Sequence, residues 1–157
     1  MLIAVIVISA CQSKSTKPAD ITAAKENINA LMDKNFNAWN SKDVNTMTAL
    51  LSDNGLFCGT DPSEFWSKKA LVDLWNQIVA DTIDYHYSID KREIKVAEDG
   101  NSAIVIEQFT MIWLSPKIPI RTTYYIIKAG DSWMIDFLSW AFIPKNEDIG
   151  KLNKALE

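Results

Sequence analysis

Three apolar runs between residues 101 and 144 constrain the fold more strongly than any other part of the chain. They are rich in the branched and aromatic residues that suit a pleated sheet, and their centres are residues 103–106, 124–127 and 133–135. Two short turn-forming segments, one around Pro116 and one at Gly130, separate the runs. Short connections of this kind join neighbouring antiparallel strands, so the region predicts an antiparallel meander.

The sequence before residue 81 predicts three amphipathic helices. The first covers residues 21–40, and its apolar side chains recur on one side at helical spacing: Ile28, Leu31, Met32, Phe36 and Trp39. Asp43 is typical of an N-cap and predicts a second, short helix that ends at the Asp-Asn-Gly sequence of residues 53–55. A third helix, from about residue 67 to residue 80, carries apolar residues at positions i, i+3, i+4 and i+7: Leu71, Leu74, Trp75 and Ile78.

Two further strands are predicted outside the meander. Residues 56–59 are long enough for a single short edge strand. Apolar and polar residues alternate from residue 83 to residue 96, with a change of phase near residues 91–92 that indicates a β-bulge. Between these strands, residues 61–64 have the pattern of a helix capping box, with an acid, a following proline and Glu64 three residues after the acid.

Together these elements predict one α+β domain in which a curved antiparallel sheet wraps around three N-terminal helices. A chain of 157 residues that is 48% apolar and 23% charged can bury a core without disulfide bonds. The domain is expected to span residues 21–144. A polar helical tail is expected at residues 145–157.

The N-terminal residues predict a targeting segment. Residues 1–11 are apolar, too short to span a bilayer, and end in small residues, which is typical of a signal peptide. Their ending, Ile-Ser-Ala-Cys, resembles a bacterial lipobox, in which the chain is cleaved before the cysteine and the thiol is acylated. The resemblance implies a signal peptide at residues 1–10, lipidation at Cys11, a tether at residues 11–20, and a place in the bacterial cell envelope on the periplasmic or extracellular side. No basic residue precedes the run, which departs from a signal peptide and points to a true start upstream of Met1. The alternative is a buried N-terminal strand with a core cysteine.

The composition argues against two classes of partner. The formal net charge is −4, and only two of the sixteen basic residues are arginine. Phosphate binding needs clustered cations, so nucleic acid is not an expected partner. His86 is the only histidine, and the carboxylates show no ligand spacing, so neither a metal site nor another cofactor is expected.

Three segments resemble the SnoaL-like branch of the nuclear transport factor 2-like superfamily. They are the helix, break and helix of residues 38–43, the run at residues 57–66, and the ending at residues 132–135. The resemblance covers residues 21–144 and implies a cone-shaped, cystatin-like α+β roll. It also implies a pocket between the concave sheet and the first and third helices, and often a homodimer through the outer face of the sheet.

The superfamily hosts enzymes and binding modules alike, so the resemblance does not fix a reaction. Its ketosteroid isomerases place a general-base Asp on the short strand and an oxyanion-hole Tyr on the first helix. In this chain the corresponding positions are Cys58 and Asn35. Both departures argue against that reaction.

Two carboxylates in the meander are candidate acid–base groups, Glu107 and Asp136. A carboxylate on the inner face of a sheet is costly unless it is paired or used. If the turns centre near residues 117 and 130, Glu107 lies opposite Tyr125, which lies opposite Asp136. A cluster of this kind would raise the pKa of a carboxyl and favour general-acid chemistry. The alternative is that these side chains point outward and are solvated or bridged by basic residues, because a register error of one residue reverses the face.

The aromatic residues predict a ligand pocket. Six tryptophans are more than a domain of this size needs, and several of them can line a cavity for an apolar or planar molecule. The residues expected to contact such a ligand are Trp39, Trp66, His86, Arg121, Tyr125 and Trp140.

Three functions follow from these patterns. The favoured one is a membrane-tethered domain that binds a small apolar or aromatic molecule in its cone-shaped pocket, without established catalysis. The first alternative is a lyase, isomerase or cyclase of the SnoaL type that uses Asp136 or Glu107 for acid–base catalysis. The second is a structural dimerisation module that uses the exposed face of the sheet.

Overall fold

Helices and strands occupy most of residues 19–157, the part of the chain that the computed structural model describes. The helices are α1 (Ile21–Asn40), α2 (Val44–Ala49), α3 (Lys68–Ala80) and α4 (Ile149–Ala155), and a 3₁₀ turn (Asn146–Asp148) precedes α4. The strands are β1 (Leu51–Cys58), β2 (Phe65–Trp66), β3 (Ile89–Val96), β4 (Ser102–Phe109), β5 (Ile120–Ala129) and β6 (Ser132–Phe142). The predicted signal peptide and lipidation site lie outside the described residues.

The six strands form one curved sheet in the order β2, β1, β6, β5, β4, β3. Strands β3 to β6 pair antiparallel with their sequence neighbours, which confirms the predicted meander. Strand β1 joins the free side of β6 in parallel, and β2 pairs antiparallel with β1. The predicted α+β class is therefore confirmed, and the expectation of a wholly antiparallel sheet is wrong at the β1–β6 pair.

The core lies between the inner face of the sheet and helices α1 to α3. Alternate residues of β4 are buried: Ala103, Val105, Glu107 and Phe109. The helices cover this face with buried side chains at helical spacing, among them Ile28, Met32, Trp39, Leu71 and Trp75. The side chains of a strand alternate between the two faces of the sheet, and a helix carries its apolar side chains in one stripe. The buried face of the sheet therefore packs against the apolar stripes of the helices.

The predicted starts of the three helices are confirmed, but α2 ends at Ala49 and not at residues 53–55, because β1 begins at Leu51. Helix α1 spans the predicted residues, and its N-cap Asp20 accepts a hydrogen bond from Ala23 N at 3.0 Å. Asp43 caps α2 in the same way through Thr46 N at 3.0 Å. Helix α3 follows the N-cap Ser67. Each cap satisfies a backbone N–H that the first turn of a helix leaves unpaired.

The segment between α2 and α3 differs from its prediction in two ways. Residues 56–59 were expected to form an edge strand, but residues up to Cys58 belong to β1, and β2 forms the edge instead. The capping-box pattern at residues 61–64 closes a turn and does not begin a helix. In that turn Asp61 N donates to Glu64 Oε2 at 2.9 Å, and the chain then continues into β2.

Residues 84–88 alternate between exposed and buried, yet they do not pair in the sheet. Hydrogen bonds from side chains at the end of α1, and not pairing with a neighbouring strand, fix the position of this segment. Trp39 Nε1 donates to Tyr85 O at 3.1 Å, and Asn40 Nδ2 donates to Tyr87 O at 3.3 Å. The alternation therefore reflects packing against α1, and the predicted strand is shorter at its N-terminal end.

The bend predicted near residues 91–92 is present. The pairing of β3 with β4 shifts between Ile89 and Lys91, which is the irregularity that a bulge produces. The polar tail ends in the predicted short helix, α4. Within residues 19–157, no helix is both long enough and apolar enough to cross a membrane.

Candidate functional site: a tryptophan-lined pocket

An apolar pocket of about 200 Å³ lies between α3, the C-terminal ends of β1 and β6, and the loop after β4. Its lining is Trp39, Cys58, Gly59, Thr60, Glu64, Trp66, Leu71, Leu74, Trp75, Ile78, Trp113, Leu114, Leu138 and Trp140. Apolar cavities of about 150 Å³ hold a benzene molecule. The pocket is therefore large enough for a compact molecule with one ring and substituents.

Five of the six tryptophans line this pocket, and they come from five different parts of the fold. Trp39 and Trp140 meet edge to face with ring centroids 5.6 Å apart. Trp113, on the loop after β4, packs edge-on against Tyr85 at 4.5 Å. Because aromatic pairs prefer this geometry, the contacts orient the rings of the pocket wall. Of the residues predicted to contact a ligand, the structure thus brings Trp39, Trp66 and Trp140 together.

The two buried indole nitrogens of this wall differ in their hydrogen bonding. Trp39 Nε1 donates to Tyr85 O, whereas Trp140 Nε1 is buried and has no hydrogen-bond partner among residues 19–157. Buried polar groups are nearly always paired in folded proteins. Trp140 therefore adds an unsatisfied donor to an otherwise apolar wall.

One carboxylate, that of Glu64, belongs to the pocket lining. It lies close to Gly59, where a Cβ atom would be 2.0 Å from Glu64 Oε2 and 2.6 Å from Trp66 Cη2. Any side chain at position 59 would displace one of these groups. The glycine thus allows the carboxylate and the indole of Trp66 to approach the same point on the pocket wall.

The predicted catalytic residue Glu107 is not part of the pocket. Its carboxyl is 1% exposed and accepts hydrogen bonds from Arg92 Nε at 2.6 Å and from Tyr124 Oη at 3.3 Å. Arg92 also donates to Asp33 Oδ1 at 2.5 Å and to Asn29 Oδ1 at 2.9 Å on α1. This network ties α1 to strands β3, β4 and β5.

The ionisation of this network follows from its burial. Burial raises the pKa of Glu107, and the charge and hydrogen bond of Arg92 oppose that rise without cancelling it. Burial also raises the pKa of Tyr87 and of Tyr124, and the negative charge of Glu107 adds to both shifts. Both oxygens of Glu107 are occupied by protein donors, which is the arrangement of a structural ion pair.

The predicted cluster of Glu107, Tyr125 and Asp136 does not form. Glu107 pairs with Thr122 across the sheet and not with Tyr125, because the β4–β5 connection reverses at an earlier point than predicted. The β5–β6 hairpin keeps the predicted register from its turn as far as Ile126. A bulge at Asp136 then shifts the pairing by one residue, so Phe137 lies opposite Tyr125.

The remaining predicted site residues also lie away from the pocket. Asp136 accepts a hydrogen bond from Ser52 Oγ at 2.5 Å. Tyr125 and Arg121 are exposed on the outer face of the sheet, opposite to the face that carries Thr122 and Tyr124. None of these residues lines the pocket.

His86, the other predicted ligand contact, is exposed on the segment before β3. Its Nδ1 pairs with Asp84. Hydrogen bonds from the backbone and then the side chain of His86 lower the pKa of Asp84. The imidazole is therefore engaged at the surface and does not line the pocket.

The pocket residues that were not predicted as ligand contacts include Trp75, Glu64 and Trp113. Trp75 belongs to the apolar stripe of α3, and residues in that stripe are explained equally well as core residues or as ligand contacts. Glu64 fits a capping pattern, which explains its turn contact but not its place in the pocket. Trp113 lies in an irregular loop, where no periodicity marks it. Within the described range, no three His, Cys, Asp or Glu side chains are grouped to hold a metal ion.

The chain was compared with known families and structures. The family model of the SnoaL-like domain matches residues 28–139. No curated protein matches the chain.

Solved structures with the same fold come from several bacteria. A nuclear transport factor 2-like protein of unknown function from Pseudomonas putida is 17% identical, with a TM-score of 0.68 over 80% of this chain and 91% of that one. A nuclear transport factor 2-like protein from Cytophaga hutchinsonii is 15% identical, with a TM-score of 0.63 over 76% and 98%. A cystatin-like fold protein from Burkholderia xenovorans is 13% identical, with a TM-score of 0.66 over 78% and 94%. At these identities the likeness establishes the fold.

The raised pKa of Glu107 predicts a pH dependence of stability. Its ordinary value is 4.5, and because the folded-state pKa lies higher, folding favours the protonated carboxyl. The resulting stability is fully present below pH 4.5 and is lost as the pH rises through the folded-state pKa. We therefore expect the free energy of unfolding of the wild type, relative to a Glu107→Gln variant, to fall as the pH rises.

Urea unfolding at a series of pH values measures this difference. A Glu98→Gln variant, which removes an exposed carboxylate in a turn, controls for the change in net charge. The raised pKa of Glu107 is contradicted if the free energy of unfolding of the wild type, relative to Glu107→Gln, is constant or rises with pH.

Proposed function

The chain belongs to the SnoaL-like domain family, and we propose that its pocket binds a small apolar or aromatic molecule. The observation that carries the proposal is the convergence of five tryptophans on a cavity of about 200 Å³. Ligand sites are typically concave and mainly apolar, with a few polar groups that fix orientation. Trp113 and Leu114 at the edge of the pocket are 38% and 39% exposed, so the ligand can enter from solvent.

Binding is proposed in preference to catalysis because of the polar groups that the pocket contains. Glu64 is the only acidic residue in the lining, and no histidine, lysine or arginine accompanies it. General acid–base catalysis needs proton-transfer groups within hydrogen-bond reach of the reacting molecule. Glu107 and Asp136 lie outside the lining, so their placement gives no support to a lyase, isomerase or cyclase reaction.

Substitution of a wall tryptophan should weaken ligand binding. We expect the full-length protein to bind tert-butylbenzene, a neutral aromatic probe, and a Trp66→Ala variant to bind it about tenfold more weakly because a stacking surface is lost. Isothermal titration calorimetry measures both affinities. Trp133→Ala is the matched control, since Trp133 is half-buried on a strand but does not line the pocket. Failure of the wild type to bind both tert-butylbenzene and its cationic analogue phenyltrimethylammonium, or an equal loss of affinity in both variants, would refute the proposal.

We also propose that the protein forms a homodimer through the outer face of the sheet. A continuous row of apolar side chains crosses four strands on this face: Leu56, Phe137, Tyr125 and Ile104. Three of these four residues are more than a third exposed. Monomeric proteins rarely expose large contiguous apolar patches, and a twofold axis would bury the row against itself.

Sedimentation of the purified protein tests the dimer. We expect a dimer for the wild type and a monomer for Ile104→Lys, because a charge in the middle of an apolar interface is strongly unfavourable. Ile112→Lys is the control, since Ile112 is 69% exposed on the loop after β4 and away from the row. A wild type that is monomeric at high concentration removes this proposal.

Finally, we propose that the domain is tethered to a membrane of the bacterial cell envelope through a lipid on Cys11. The support is the lipobox-like sequence alone, because the cysteine precedes the described residues. Helix α1 begins at Ile21, so a short polar segment would connect the anchor to the domain.

Fractionation of bacterial cells tests the anchor. Cys11→Ala should move the protein from the membrane fraction to the soluble fraction, because acylation requires the thiol. Cys58→Ala should leave the distribution unchanged, since Cys58 lies within the folded domain. Membrane partitioning that survives the loss of Cys11 would show that no lipid is attached there.

A further inference from the structure

The pocket lining carries charge of one sign only. Among its lining residues, Glu64 carries a negative charge and none carries a positive one. No basic side chain of residues 19–157 forms an ion pair with the Glu64 carboxylate. Glu107, the buried carboxylate outside the pocket, is by contrast neutralised by Arg92 at 2.6 Å. The pocket therefore presents a carboxylate without a counter-ion from the described chain.

The hydrogen bonding of Glu64 leaves one oxygen free. Oε2 accepts from Asp61 N, and no group of the described chain donates to Oε1. The side chain is half-buried, so its charge is less well screened than that of a carboxylate in open solvent. The turn thus fixes the carboxylate in the pocket wall and leaves it able to contact a bound molecule.

Tryptophan lies beside this carboxylate and elsewhere in the pocket wall. The Glu64 carboxylate and the Trp66 ring both approach the space above Gly59, and four more indoles line other parts of the wall. The face of an indole carries negative electrostatic potential and attracts cations, and this attraction grows when water is excluded. A carboxylate and the faces of several indoles favour the same kind of guest, because both attract positive charge.

We propose that the ligand is an organic cation, with a substituted ammonium group held between Glu64 and the tryptophan wall and an apolar remainder directed towards Leu138 and Trp140. This inference rests on the proposed function and specifies the class of molecule that the pocket accepts. A neutral apolar ligand would cover Glu64 and leave its charge uncompensated, which is unfavourable. A cation of similar shape compensates that charge on binding.

Two probes of nearly identical shape test the charge preference. Phenyltrimethylammonium and tert-butylbenzene differ in a nitrogen that replaces a carbon, so their affinities separate charge from size. Calorimetric titration of the full-length protein should show that the cation binds at least about tenfold more tightly than its neutral counterpart. Equal binding, or tighter binding of tert-butylbenzene, overturns the cation proposal and leaves the apolar pocket in place. If neither probe binds, both the cation proposal and the proposed function of the pocket are overturned.

The Glu64→Gln variant tests the part that the carboxylate plays. The glutamine side chain retains an oxygen for the Asp61 N–H, so the turn and the unfolding transition should be preserved. We expect the preference for the cation over the neutral probe to fall about tenfold in this variant. Glu98→Gln removes the same charge from an exposed turn and should leave the preference unchanged. A preference that survives Glu64→Gln, or that falls equally in Glu98→Gln, overturns the assignment to Glu64.

Discussion

The buried ion pair between Arg92 and Glu107 fixes helix α1 to the sheet. A carboxylate that is 1% exposed is tolerated only when its charge is paired and its oxygens are hydrogen-bonded. Arg92 meets this need and also reaches Asp33 and Asn29 on α1. Helix α1 is therefore held over β3 and β4. Helix α3 covers the other end of the same face, next to β1, where the pocket forms.

The ion pair and the pocket share one row of side chains across the inner face. Arg92, Glu107, Thr122 and Trp140 lie opposite one another on β3, β4, β5 and β6. Aromatic contacts adjoin this row: the ring centroid of Phe109 lies 4.3 Å from that of Tyr87 and 6.1 Å from that of Trp140. The charge of Glu107 is paired with Arg92, and neither residue lines the pocket, so the electrostatic character of the pocket is set by Glu64.

The sequence predicts the helices better than the sheet register, for a physical reason. A capping acid and a 3.6-residue period are local signals, so Asp43 locates the start of α2 and the apolar stripes locate α1 and α3 without knowledge of the rest of the fold. Register depends on where a loop reverses and on bulges, neither of which has a strong local signature. The predicted acid–base cluster does not form, because the β4–β5 loop reverses earlier than predicted and a bulge at Asp136 shifts the β5–β6 pairing. Three of the pocket tryptophans were predicted as ligand contacts, but Trp75 could not be separated from core by its helical spacing.

The turn before β2 shows how one residue can serve both structure and recognition. Gly59 N donates to Glu64 O at 3.2 Å, and Asp61 N donates to the Glu64 side chain, so the backbone and the carboxylate of Glu64 are both fixed before any ligand arrives. A site whose polar group is already held in place loses less conformational entropy on binding than one that must order it. The capping-like sequence at residues 61–64 is thus compatible with a helix start and with a ligand site. The fold decides between them, because β2 carries the chain past the pocket before α3 can begin.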